Sequence, residues 1–274
     1  MLFGCDFSSA PTARKPIVVA VGEMAGPDAV TLTGLHRFAT LNAWGLWLDS
    51  STPAWVGGFD FPFGLPRELV EHLQWPTAWD VLIAHYAGLS RTEIRDTFAA
   101  FCAARPVGGK FAHRATDAPA GSSPSMKWVN PPVAYMLHAG VPRLLAAGAT
   151  LPGLHTGTHK ERIALEAYPG LLARELIARR SYKSDDLARQ SPEREAARTD
   201  LLAALEAGRT RLGLRLQLTA AQRNGLRADA KGDELDAVLC LLQAAWARQR
   251  AGSPGPGYGL PGSMDPLEGW IVSA

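Results

Sequence analysis

Five acidic side chains carry the chemistry that this sequence could do. In "GDELDAVLCLLQAAWA", residues 232–247, Asp233 and Asp236 stand at the mouth of an otherwise apolar helix. Asp6 ends the apolar run "LFGCD", Asp60 ends "AWVGGFD", and Glu166 ends "ERIALE". A carboxylate beside a core is costly unless a metal ion, an arginine or a set of donors compensates its lost hydration. Each acid also has an ordinary reading. A strand-end Asp can form a turn, Asp233 can cap its helix, and Glu166 can pair with Arg162 or Lys160. Asp236 resists such a reading, because it lies a turn inside the helix among apolar neighbours.

Taken together, the acids point to one place. In an open α/β sheet, strand ends on one side converge on the ligand crevice. If the strands bearing Asp6, Asp60 and Glu166 are parallel neighbours, their carboxylates meet the helix pair there. Hard oxygen donors select Mg²⁺ or Mn²⁺. Two such ions about 3.5–4 Å apart stabilise the attacking and leaving oxygens of a phosphodiester displacement. The predicted chemistry is metal-dependent phosphodiester hydrolysis, with Asp6, Asp60, Glu166, Asp233 and Asp236 as metal ligands and catalytic groups.

The elements that must position these residues follow from periodicity. Strands are expected over "LFGCDFSS", "KPIVVAVGE", the alternating "AVTLTGLHRFA", "AWVGGFDFPFGLP" and "ERIALEAYPG". "TLNAWGLWLDSS" sets Leu41, Trp44 and Leu48 on one helical face, with Pro53 restarting the chain. Residues 66–104 read as helical, Ser90 and Glu93 forming a capping box. The stretch 105–132 is rich in Gly, Pro and Ser and is expected to be a long loop. Helix resumes near 133–148, continues in amphipathic patches over 170–228, and is clearest over 233–250, where Leu235, Val238, Leu239, Leu242 and Trp246 keep the 3.6 period. "EGWIV" closes the chain as a short strand or cap. One α/β domain over 1–274 is expected, with a largely helical insertion at about 66–160 between the fourth and fifth strands.

Bulk properties narrow the partners. With 47% hydrophobic and 20% charged residues and a net charge of +2, the chain reads as an ordinary globular protein without a basic nucleic-acid tail. No apolar run nears the roughly 18 residues that span a bilayer, and no signal peptide opens the sequence, so a cytoplasmic location and no membrane partner are expected. Cys5, Cys102 and Cys240 lack CxxC spacing and are expected to be buried thiols. His155 and His159 have no third ligand nearby, which argues against zinc. A polyanion would need a local basic patch. Arg105, Lys110, Arg114 and Lys127 oppose only Asp117 in the long loop, so Lys110, Arg114 and Lys127 are expected to contact substrate phosphates. Lys183, in "SYKSDD", could approach the scissile phosphate or bind Asp185.

The ordered set "FGCDFSS", "GGFDFPFGLP", "ALEAYPGLLAR", "SYKSDD", "GDELDAVLCLLQAAWA" and "DPLEGWI" is similar, over nearly the whole chain, to a domain-of-unknown-function family described as predicted nucleases with a ribonuclease H-like fold. That resemblance implies a ribonuclease H-like mixed sheet flanked by helices, a Mg²⁺ or Mn²⁺ site, and DNA or RNA as partner. It also implies an acid on the first strand, Asp6, one on the fourth, Asp60, and one or two on the C-terminal helix, Asp233 and Asp236. Ribonuclease H takes a further glutamate from its first helix. Here "LNAWGLWLDSS" offers only Asp49, and Glu166 stands as the replacement. Two other classes compete: a phosphotransferase of the sugar-kinase and actin-like type, and a non-catalytic binding protein on the same scaffold. Duplicated halves and a Gly-rich adenosine site, expected of the former, are not found. Neither GxxxxGK[ST] nor GxSxG occurs, which speaks against P-loop and serine-hydrolase chemistry.

Overall fold

The computed structural model describes residues 1–50 and 54–274; the restart expected at Pro53 lies outside them. The chain opens with an antiparallel meander, β1 (Leu2–Asp6), β2 (Ile17–Met24) and β3 (Ala29–Phe38). After α1 (Leu41–Ser50) it returns as β4 (Trp55–Phe59), which lies parallel to β1. Five helices follow: α2 (Arg67–His72), α3 (Trp79–Gly88), α4 (Arg91–Ala103), α5 (Asp117–Ala120) and α6 (Val133–Ala146). Ser90 and Glu93 form the expected capping box on α4. A two-residue β5 (Ala149–Thr150) leads to β6 (His159–Glu166), which pairs in parallel with β4. Then come α7 (Pro169–Ile177), α8 (Pro192–Glu206), β7 (Arg215–Gln217), α9 (Ala220–Ala228) and α10 (Asp233–Arg248).

The seven strands form one mixed sheet in the order β5-β6-β4-β1-β2-β3-β7. Successive strand residues face opposite sides, so β1 sends Phe3 and Cys5 to one face and Leu2 to the other. The first face packs on α1 to α4 and α6, around Trp44, Leu48, Phe59, Leu82, Phe98 and Leu144. The second packs on α7, α8 and α10, around Leu172, Leu201, Leu235, Val238 and Leu242. This is an α/β protein with helices on both faces of its sheet.

The strands expected at β1 to β4 and β6 are present, and the helical segment expected between the fourth and the next long strand is present too. Three features differ. β5 and β7, two and three residues long, carry too few alternations to read from sequence; β7 lies within the segment that reads as helical in patches. The 105–132 stretch is mostly loop, as expected, but it holds the short α5 and is anchored by Ala112, Arg114, Thr116, Asp117, Ala120, Ser125 and Met126, which are all buried. "EGWIV" contributes a single parallel bridge, Ile271 to Glu166. The three cysteines are free and buried. Among the described residues no helix is long and apolar enough to cross a membrane.

Candidate functional site

β1 and β4 run in parallel register, Cys5 beside Phe59, so the next residues, Asp6 and Asp60, end the two strands side by side. The ladder continues to this point, where Asp60 N–H donates to the Cys5 carbonyl at 2.9 Å. Two residues before each acid is a glycine, Gly4 and Gly58. A Cβ on Gly4 would stand 2.1 Å from the Ala237 carbonyl oxygen, and one on Gly58 would stand 2.5 Å from that of Cys240. The backbone of α10 therefore lies directly on these two strands, which only glycine permits. By strand alternation Asp6 and Asp60 face the same side as Gly4 and Gly58, toward the first turn of α10.

That turn supplies Asp233, 6% exposed, and Asp236, fully buried. Asp236 accepts from the Tyr182 hydroxyl on one oxygen and from the Lys183 ammonium on the other. The segment bearing Tyr182 and Lys183 is pinned by α8, since Arg198 donates to the Tyr182 carbonyl at 2.7 Å and Arg194 to that of Lys183. Gly232, at φ 74°, caps α10 where a Cβ would lie 2.8 Å from the Lys183 Cβ, so a side chain there would push the lysine away. Lys183 thus binds Asp236; Asp185, the alternative partner, pairs with Lys15 at 2.5 Å.

The carboxylates of Asp6, Asp60 and Asp233 accept no hydrogen bond among the described residues, so their charges meet one another and Lys183 with few donors between. Burial, then the charge of Asp236, lifts the Asp6 carboxyl well above the usual range. The same causes push Asp60 up to about 7. Asp233 rises to about 6 through burial, Asp229 and Asp236. Burial works to lower the Lys183 ammonium, but Asp236, Tyr182 and Asp6 outweigh it and hold the group well above its ordinary value. Among the described residues no three His, Cys, Asp or Glu side chains are gathered closely enough to hold a metal ion as they stand.

Glu166 departs from the expected set. It pairs with Phe59 rather than with Asp60, so its side chain falls on the opposite face of the sheet from Asp6 and Asp60. There the Arg114 guanidinium grips both its oxygens, at 2.7 and 2.8 Å, and Phe63 N–H donates at 3.0 Å. Neither Arg162 nor Lys160 is its partner. Arg114 donates onward to Asp117, at 3.1 and 3.0 Å, and to the Glu268 carbonyl at 3.0 Å. All five guanidinium N–H groups are thereby used. Arg114, 3% exposed, holds the 105–132 segment onto the sheet and has no donor left for a phosphate.

Three adjoining cavities meet at Asp60 and Lys183, both of which line each one. The largest, about 580 Å³, is also lined by Asp6, Ser8, Ser9, Asp233, Asp185, Lys15 and Lys231. The second, about 220 Å³, is walled by Phe61, Ser123, Val133, Met136 and Tyr168. Lys110 and Lys127 line none of the three. Besides Lys183, the cations that do are Lys15 and Lys231 in the largest, Arg114 in the second, and Arg174 and Arg180 in the third. The sequence signal of Lys15 and Lys231 was weak: "RKP" and "DAKGD" lie far from each other and from the loop whose composition is basic. Comparison with family models, with curated proteins and with solved structures finds no match.

Proposed function

We propose that this chain is a metal-dependent phosphodiester hydrolase of ribonuclease H-like architecture that acts on nucleic acid. The observation that supports the reading is that four carboxylates from three elements, Asp6 of β1, Asp60 after β4, and Asp233 and Asp236 of α10, lie near enough beside one cleft for Asp6 to feel the charges of the other three, though not at ligand spacing as they stand. Two of these lie on the first and fourth strands and two on the C-terminal helix, which is the layout implied by the resemblance. The order β3-β2-β1-β4-β6 in the sheet, with β2 antiparallel to both neighbours, is consistent with it.

The donor set fits a hard dication by its chemistry: all oxygen, anionic, and with three of its four members lacking a donor among the described residues. Asp6, Asp60, Asp233 and Asp236 would hold Mg²⁺ or Mn²⁺; Glu166, saturated by Arg114, would not. A bound dication would supply charge stabilisation for displacement at phosphorus. The chain's own residues do the rest. The carboxylates orient the site from rigid elements, the Lys183 ammonium borders the cleft while bound to Asp236, and Lys15 and Lys231 line the same cleft, where a phosphate chain would lie.

Labelled single-stranded and duplex DNA and RNA, incubated with Mg²⁺ or Mn²⁺ and with chelator, test the reading. Metal-dependent cleavage that Asp60→Asn abolishes is expected. Absence of cleavage of all four substrates by wild type would favour the phosphotransferase or scaffold alternatives.

A further inference from the structure

We infer that Lys183 is the resident counter-ion of the carboxylate cluster and competes with a divalent cation for Asp236. The inference rests on the metal-site reading above. Its observation is local. Both oxygens of fully buried Asp236 are taken, one by Tyr182 and one by Lys183. A dication cannot bind the Lys183-bound oxygen of Asp236 while the ammonium holds it. Asp233, by contrast, is 6% exposed, lines the main cleft and has no hydrogen-bond partner among the described residues, so a carboxylate that opens on the cleft without a direct partner stands beside the paired one. Such a group calls for a cation.

Only the side chain of Lys183 is free to answer the exchange. Its carbonyl is held by Arg194, the preceding carbonyl by Arg198, and the next residue's N–H by the Ala230 carbonyl at 3.0 Å. The side chain itself is 42% exposed and borders all three cavities, so it has room to swing into the cleft. Displacement from Asp236 would therefore turn a structural counter-ion into a free ammonium facing the substrate channel. Cation binding and anion binding are coupled through this one side chain: the dication releases the group that attracts the phosphate, and an anion that engages the ammonium frees Asp236 for the dication. Such coupling is reciprocal by necessity.

Calorimetric titration with Mn²⁺ of wild type, Lys183→Met, Lys183→Arg and Lys15→Met tests this. Lys183→Met is expected to bind about tenfold more tightly than wild type, because the competing charge is gone. Lys183→Arg should stay near wild type. Lys15→Met removes a cleft charge bound to Asp185 instead of Asp236, and should shift the affinity by less than about threefold. Equal or weaker binding by Lys183→Met would overturn the competition while leaving the metal site intact. Absence of Mn²⁺ binding in every form would overturn the metal-site reading itself. A measurement on the native chain guards against a variant that fails to fold. Amine labelling of Lys183, read by mass spectrometry, should rise several-fold when Mn²⁺ replaces chelator, and unchanged labelling would also defeat the inference.

Discussion

Two groups of buried and half-buried acids lie on opposite faces of the same strand ends, and they are built on opposite principles. Glu166 and Asp117 share one arginine whose five donors are all spent on them and on a backbone carbonyl. Asp6, Asp60, Asp233 and Asp236 share one lysine, and among the described residues three of the four carboxylates accept no hydrogen bond. The first group has the anatomy of a fastener: charges matched, geometry bidentate, solvent excluded. The second is left short of positive charge beside a cleft, at a cost in stability that a bound cation would remove. The contrast teaches that a buried carboxylate becomes informative only when its partners are counted.

The largest effect should come from breaking the fastener. Arg114→Met leaves two buried carboxylates without their cation and is expected to lower stability by about 3–5 kcal/mol, read as a fall in denaturant midpoint. Loss of under about 1 kcal/mol would mean that the segment 105–132 is held by something else.

The open group should respond in the opposite sense. Asp60 has its folded-state pKa raised to about 7, so the folded protein binds a proton that the unfolded chain, near 4, has released. Stability contributed by that proton is fully present below about pH 4 and is lost as pH rises through 7. In chelator, wild type should therefore become less stable between pH 5 and pH 8, and Asp60→Asn should flatten the trend and melt higher at pH 8. Asp236→Asn is not equivalent, since it abandons the bond to Lys183. A melting temperature of Asp60→Asn below wild type at pH 8 in chelator would make Asp60 a structural group.

Most of the scaffold is legible in the sequence, because its main strands and helices follow simple periods. The four-acid cluster is also legible, and more strongly than the acids alone suggest. "GCD" and "GFD" repeat a glycine two residues before an aspartate, the mark of strands that admit a helix backbone on the face the acid shares. Glu166 misleads because its meaning depends on register. One residue's offset against Asp60 sends it to the other face, and nothing local in "ERIALEAYPG" reports that offset. Arg114 misleads for a related reason: its decisive partner lies 52 residues away, so a basic residue in a Gly- and Pro-rich loop reads as open to phosphate when its side chain is buried. Lys15 and Lys231 escape notice because only the fold brings them to one cleft.

The smallest effect sharpens that last point. For wild type bound to single-stranded oligonucleotides in Ca²⁺, Lys15→Ala with Lys231→Ala should lower the log-log salt slope by about 1.4. Lys110→Ala with Lys127→Ala should leave it unchanged. The reverse result would return phosphate recognition to the 105–132 segment.

Calorimetric titration with Mn²⁺ tests the central claim most directly, applied to wild type, to Glu166→Gln and to Asp6→Asn with Asp236→Asn. Glutamine keeps an oxygen for Phe63 and Arg114, so Glu166→Gln is expected to bind Mn²⁺ as wild type does. The Asp6 and Asp236 double variant is expected to bind none. Binding that survives in the double variant, or that vanishes in Glu166→Gln while the protein remains folded, would contradict the assignment of the cation site to the face shared by Asp6, Asp60 and the first turn of α10.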